Sequence, residues 1–225
     1  MQNQNHIGMG MDDNPNHVHE IESKFTVTDE VIAMIEDVYL TDKTKKFVDV
    51  YFDYDDNSLT QANIWLRMRD KEFELKLPNG DISLENKSFS SYTEILSVNE
   101  IATYLDLKQP CSDTITLLQA IKTKGMNPFV SLLTNRKSYI LYDYGLKVDI
   151  DRVHTEGEDE MFFDCIIGEV EFIEKEGSSP REAIELISKF KQDFNLDNAP
   201  YGKVALYLQA RKPEVFNLLQ SKGLW

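Results

Sequence analysis

From about residue 18 onward the chain alternates apolar and polar residues in short runs. A two-residue period of this kind marks half-buried strands. It predicts strands over 18–27, 46–54, 62–70, 72–78, 90–97, 130–142, 145–153 and 163–174. Helical spacing takes over elsewhere. Val31, Ile32, Ile35 and Val38 predict a helix over 29–39, opened by Thr28 and the acids Asp29 and Glu30. A second helix is predicted over 98–106, and a third over 113–124 with Ser112 as N-cap and Gly125 as stop. Ser179 and Glu182 have capping-box spacing around Pro180, which predicts a helix over 180–193. The C-terminal region predicts a turn around 203–210 and a helix opened by Pro213. Pro78-Asn79-Gly80 and Asp143-Tyr144-Gly145 read as hairpin turns. The fold class is therefore α+β, with eight antiparallel strands in one large sheet or closed barrel and helices flanking it.

The polar faces of these strands are made almost wholly of charge. Successive strand residues point to opposite faces, so Glu20, Glu22 and Lys24 share one face. Trp65, Arg67 and Arg69 share another, with Leu66 and Met68 behind them. Glu74 and Lys76 alternate with Phe73, Leu75 and Leu77. Lys147, Asp149 and Asp151 alternate with Val148 and Ile150, and Glu169 and Glu171 flank Val170. One such strand is compatible with a sheet that keeps a solvated face. Five of them, with little Thr, Ser or Gln among the charges, suggest a lined cavity, because like charges two residues apart repel unless something lies between them.

Composition narrows the chemistry. A hydrophobic share of 41% supports a real core. Lys and Arg number 24 against 39 Asp and Glu, a net charge of −15, which argues against a nucleic-acid partner. Cys111 and Cys165 lack CxxC spacing. Residues 1–17 are expected to be a disordered tail, with His6, His17 and His19 belonging to that leader region, and 18–225 a single domain. No secretory signal or membrane-length apolar run is present, so a cytoplasmic monomer is expected. Carboxylates in a cavity suit Mg²⁺ or Mn²⁺, and converging Lys and Arg suit an anion that needs several cations, such as a triphosphate. The ten glycines form no GxxxxGK loop, so phosphates would be held by side chains.

HEIESKF (19–25) carries the E-x-E-x-K signature of the CYTH superfamily, the triphosphate tunnel metalloenzymes, and the chain resembles that family further on. DVYFDYDDNSLTQANIWLRMRD (49–70), FELKLP (73–78), LTNRKSYIL (133–141), LKVDID (146–151), IGEVEF (167–172) and GKVALYL (202–208) follow in the order of the animal thiamine triphosphatases. The resemblance spans residues 18–219 and leaves out 79–91 and 154–164. It implies an eight-stranded closed tunnel that hydrolyses a triphosphate with Mg²⁺, thiamine triphosphate being the expected substrate. It also implies a metal side of Glu20, Glu22, Glu94, Asp149, Asp151, Glu169 and Glu171. Lys24, Arg67, Arg69, Arg136, Lys147 and Lys203 would grip the phosphates, and Trp65 would stack on the thiamine. Lys76, with a pKa lowered by neighbouring cations, and Tyr51 would handle the proton. An inorganic tripolyphosphatase and a non-catalytic polyphosphate-binding module are the alternatives.

Overall fold

A computed structural model describes residues 17–80, 88–155, 162–173 and 179–224. In chain order the elements are β1 (His17–Phe25), α1 (Asp29–Val38), β2 (Lys43–Asp53), α2 (Ser58–Gln61), β3 (Trp65–Arg69), β4 (Glu72–Pro78) and β5 (Ser90–Ile95). There follow α3 (Val98–Tyr104), α4 (Thr114–Thr123), β6 (Asn127–Leu141), β7 (Leu146–His154), β8 (Asp164–Phe172), α5 (Pro180–Asp193), α6 (Lys203–Arg211) and α7 (Pro213–Ser221). The strands close into an antiparallel barrel in the order β1-β5-β4-β3-β2-β6-β7-β8. The closed barrel is the tunnel that the resemblance implied.

This barrel keeps its apolar residues outside and its charged residues inside. On one flank Phe25, Val148, Ile150 and Val170 pack with Ile35 of α1 and with Ile187 and Phe190 of α5. On another, Phe52, Leu66, Phe73 and Leu75 pack with Ile101 of α3 and with Leu117 and Ile121 of α4. A third cluster seats α6 and α7, through Val204, Leu208, Phe216 and Leu219, on Leu132, Val130 and Val153. Helices α1, α3, α4 and α5 therefore bury the outer faces of the strands, which is why their apolar stripes are one-sided, whereas α6 and α7 pack on Val130 and Leu132, which share the inward face of Tyr51 and Asp49.

Local signals account for most element ends. Thr28 caps α1 by accepting from the Val31 N–H, and Ser179 accepts from the Glu182 N–H at 3.2 Å to open α5. Gly125, at φ 93°, stops α4 as expected. The cap of α4 is Asp113 rather than Ser112, and it forms a capping box with Thr116. Two expectations change. The helical turn expected around 203–210 is longer, the helix α6, because its Val204, Ala205 and Leu208 bury against the barrel. The strand expected over 62–70 begins only at Trp65, since Asn63 is left-handed (φ 57°) and closes the short helix α2 that sequence patterning missed. His17 and His19, read as part of the leader region, belong to β1, and His6 lies outside the described residues.

Gly168 on β8 pairs with Phe25 on β1, and a Cβ there would intrude on the Phe25 ring. That ring is fully buried between helices and strands and has nowhere to go. Gly168→Ala is expected to lower stability by about 1–3 kcal/mol, seen as a lower melting temperature. Gly168→Ala combined with Phe25→Leu is expected to lose less than the sum of the single losses. Strict additivity would refute the contact.

Candidate active site

Strand register decides which side chains meet. Directly opposed residues on antiparallel strands share a face, and six inward ion pairs arise this way. Lys24 faces Glu169, Arg69 faces Asp49, Arg67 faces Glu74, Lys76 faces Glu94, Arg136 faces Asp151, and Lys147 faces Glu171. Each pairing is an ion contact: Lys24–Glu169 3.0 Å, Arg69–Asp49 2.7 Å, Lys76–Glu94 2.9 Å, Arg136–Asp151 2.6 Å and Lys147–Glu171 2.9 Å, with Arg67 Nε donating to Glu74 at 2.7 Å. Diagonal contacts knit them together. Lys24 also pairs with Glu22, Lys76 with Glu20, and Arg136 with Asp149. Lys203, delivered by the first turn of α6, reaches Asp49 at 2.6 Å.

Every residue proposed for the site from sequence lines this interior or its mouth, but acids and bases do not form two separate zones. They interleave. Among the described residues no group of three His, Cys, Asp or Glu side chains stands as a ready metal cage, because each carboxylate turns to a Lys or Arg. Sequence reading put Glu74, the inner partner of Arg67, on a charged face without a role, and it missed Asp49, the inner partner of Arg69, and Phe47, whose ring centroid lies 4.1 Å from the Arg69 guanidinium carbon. Lys203 and Arg136 also sit over that ring, at 5.3 and 5.4 Å.

Two register positions break the pattern by setting acid opposite acid: Glu22 against Glu171, and Asp149 against Glu169. Like charges directly opposed are destabilising. Burial, and then the Glu169 carboxylate, push Glu22 up to about 8. Burial also raises Glu20, helped by Glu94 and Glu171. Glu169 is held well below the usual range despite its burial, chiefly by Lys24. Crowded, buried oxygen donors of this kind fit a hard divalent cation, and Glu20, Glu22, Asp149, Glu169 and Glu171 are the residues that would hold it. Asp151 and Glu94, paired with Arg136 and Lys76, stand among the same inward carboxylates.

Lys76 departs from expectation. Burial alone would lower its pKa, but Glu22, Glu20 and Glu94 outweigh that and hold it well above the ordinary lysine value. The cations expected beside it are farther in effect than these acids. Its surroundings thus favour the ammonium form of Lys76. Among the described residues no hydrogen bond joins it to Tyr51. Tyr51 lies opposite Arg67 and meets Trp65 edge-on, with ring centroids 6.3 Å apart and planes at 85°.

The interior opens into a cavity of about 630 Å³ whose lining includes Glu22, Lys24, Arg67, Lys76, Arg136 and Lys203 together with the rings of Trp65, Tyr92 and Tyr201. That volume suits a small organic phosphate.

The CYTH domain matches residues 18–200, and the chain belongs to that family. CYTH domain proteins are generally triphosphate hydrolases or cyclases. Comparison with curated sequences gives no significant match. Among solved structures, a protein of Pyrococcus horikoshii is 18% identical, with a TM-score of 0.57, covering 85% of this chain and 99% of its own. A putative adenylate cyclase of Bacillus halodurans is 21% identical, with a TM-score of 0.54, covering 84% and 96%. A putative adenylyl cyclase of Hippeastrum, described as having a dominant triphosphatase activity, is 16% identical, with a TM-score of 0.52, covering 85% and 96%. These likenesses concern the fold. Among the described residues no helix is long and apolar enough to cross a membrane.

Asp49 is fully buried beneath Arg69 and Lys203. Asp49→Asn is expected to weaken the protein by about 3–5 kcal/mol at pH 7, measured by urea unfolding, because two buried cations lose their counter-ion. Burial opposes ionisation of Asp49, but Lys203 and Arg69 hold its pKa well below its ordinary 3.8. The unfolded chain therefore takes up the proton first as pH falls, and stability declines below that value. The gap between wild type and Asp49→Asn is expected to narrow there; a constant gap would contradict the pairing.

Proposed function

We propose that this CYTH domain protein is a divalent-metal-dependent triphosphatase that removes the terminal phosphate of an organic triphosphate, with thiamine triphosphate as the favoured substrate. The observation that carries it is the ring of register-paired Lys and Arg inside a closed barrel whose cavity also holds Trp65 and Tyr92. The Hippeastrum protein's described activity supports the hydrolase over the cyclase. Enzymes of this tunnel family generally depend on a divalent metal, and Mg²⁺ is the ion this oxygen donor set suits best.

The side chains divide the work by position. Arg67, Arg69, Arg136, Lys24, Lys147 and Lys203 bind the phosphate oxygens by exchanging their carboxylate partners for the substrate's, so binding replaces one set of charge-assisted hydrogen bonds by another. Glu20, Glu22, Asp149, Glu169 and Glu171 hold the metal, which when bound would neutralise phosphate charge and polarise the terminal phosphorus. Asp151 and Glu94 orient Arg136 and Lys76. Water oxygen bonds to the terminal phosphorus as the bond to the bridging oxygen breaks, and the diphosphate leaves with that oxygen's charge. Lys76, held as an ammonium, stabilises that charge or gives it a proton. Tyr51 keeps Trp65 and Arg67 in place. Trp65 presents an indole face to a flat cationic ring. A pure polyphosphate binder would gain nothing from the opposed acids, and an inorganic tripolyphosphatase would gain nothing from the aromatic side of the cavity.

Phosphate release with Mg²⁺ from thiamine triphosphate, ATP and tripolyphosphate tests this. Thiamine triphosphate is expected to lead, and a tenfold preference for tripolyphosphate, only ~1.4 kcal/mol, would refute the organic substrate. Glu22→Gln and Glu169→Gln are each expected to lower turnover by about 10–100-fold and to raise the Mg²⁺ concentration needed. Unchanged turnover would remove them from the metal side.

A further inference from the structure

Between β2 and β3 the chain makes a construction that none of the charge chemistry requires. Asp53, at the end of β2 and almost fully buried, accepts four hydrogen bonds: from the N–H groups of Tyr54 (2.8 Å), Leu59 (3.0 Å) and Thr60 (2.9 Å), and from the Thr60 hydroxyl (2.6 Å). These fix the one-turn helix α2 to the barrel. The helix ends with the Asn63 N–H bonded to Thr60 O and the Ile64 N–H bonded to Leu59 O, both at 2.9 Å. This is the paired closure of a helix by a left-handed residue, here Asn63 at φ 57°. The backbone of Asn63 is thus held from both sides.

Its side chain is what that rigidity serves. Asn63 Oδ1 accepts from Trp65 Nε1 at 3.0 Å and from the Tyr92 hydroxyl at 3.1 Å. The two rings come from different strands, β3 and β5, separated in the barrel by β4. One carbonyl oxygen ties both together, and all three residues line the cavity. Tyr92 is further set by Lys76, whose ammonium lies 5.6 Å from its ring centroid. Aromatic walls fixed before the ligand arrives give up no rotamer freedom on binding, which is where affinity for a flat ring is otherwise lost.

We infer that Asn63 is the positioning residue that sets specificity: by holding Trp65 and Tyr92 through one oxygen, it forms the wall that selects triphosphates carrying a flat cationic heteroaromatic group over inorganic tripolyphosphate. The inference rests on the function proposed above and adds the residue that imposes the preference. The side-chain oxygen of Asn63 bonds to the two rings, so its effect is expected to fall first on the organic group. The needed chemistry is an acceptor for two donors, which a carboxylate also supplies and a hydrogen atom does not.

The test compares wild type, Asn63→Gly and Asn63→Asp in steady-state hydrolysis of thiamine triphosphate and tripolyphosphate with Mg²⁺. Glycine suits the left-handed backbone, so it removes the oxygen without straining the turn. Asn63→Gly is expected to raise KM for thiamine triphosphate about tenfold with little change in kcat, and to leave both constants for tripolyphosphate as in wild type. Asn63→Asp is expected to restore the thiamine triphosphate KM. A parallel rise in KM for both substrates would mark Asn63 as merely structural and overturn the inference. So would an unchanged ratio in Asn63→Gly while wild type prefers thiamine triphosphate, which would leave the proposed function standing. A wild type that prefers tripolyphosphate would overturn both together.

Discussion

A charge turned into the interior of a closed sheet must meet an opposite charge at hydrogen-bond distance, and this barrel satisfies that demand through register. An unpaired buried ion costs several kcal/mol. Here the partner of each of six strand-borne cations sits directly across on the neighbouring strand, from Lys24 and Glu169 around to Lys147 and Glu171. A slip of one residue at any ladder would turn charges outward and apolar residues inward. The ion pairs therefore specify the register as much as the register forms the pairs. The inward cations are thus held in place by strong hydrogen bonds before any ligand binds.

The same constraint explains the helices. With the interior given to charge, the apolar faces of the strands point outward, and α1, α3, α4 and α5 cover them. Close strand–helix approach also explains why Gly168 stands where the Phe25 ring crosses. At the remaining flank α6 does two things at once. Its apolar side packs on Leu132 and Val130, and its first residue, Lys203, enters the charged interior. A short apolar run beginning with a lysine shows only a helical turn in sequence, because neither half of that arrangement is local.

Period-two alternation made the strands and their charged faces legible, and the E-x-E-x-K stretch with its companion blocks made the tunnel legible. Pairing across strands was not, since alternation says which residues share a face but not which residue lies opposite. Hence the expectation of separate acidic and basic zones, where the barrel interleaves them. Hence also the reading of Lys76 as a lysine among cations, when Glu94 faces it and Glu20 and Glu22 stand close. Asp49 escaped notice for a related reason. It lies in the run FVDVYF, where one acid among apolar residues looks incidental until Arg69 and Lys203 are seen on either side.

Two kinds of recognition are thus built by different means. The cations are placed by the ladders, which every strand shares, so the grip on a chain of phosphates is a property of the barrel as a whole. The aromatic side is placed by one irregular connection, in which Asp53 anchors α2 and Asn63 ties Trp65 to Tyr92. Shared ladders cannot change at one position without leaving a buried charge unpaired elsewhere, whereas the connection after β2 can change without touching any ion pair. It follows that the demand for charge pairing fixes what the tunnel grips, and that the choice of what is attached to the phosphates falls to a segment free of that demand.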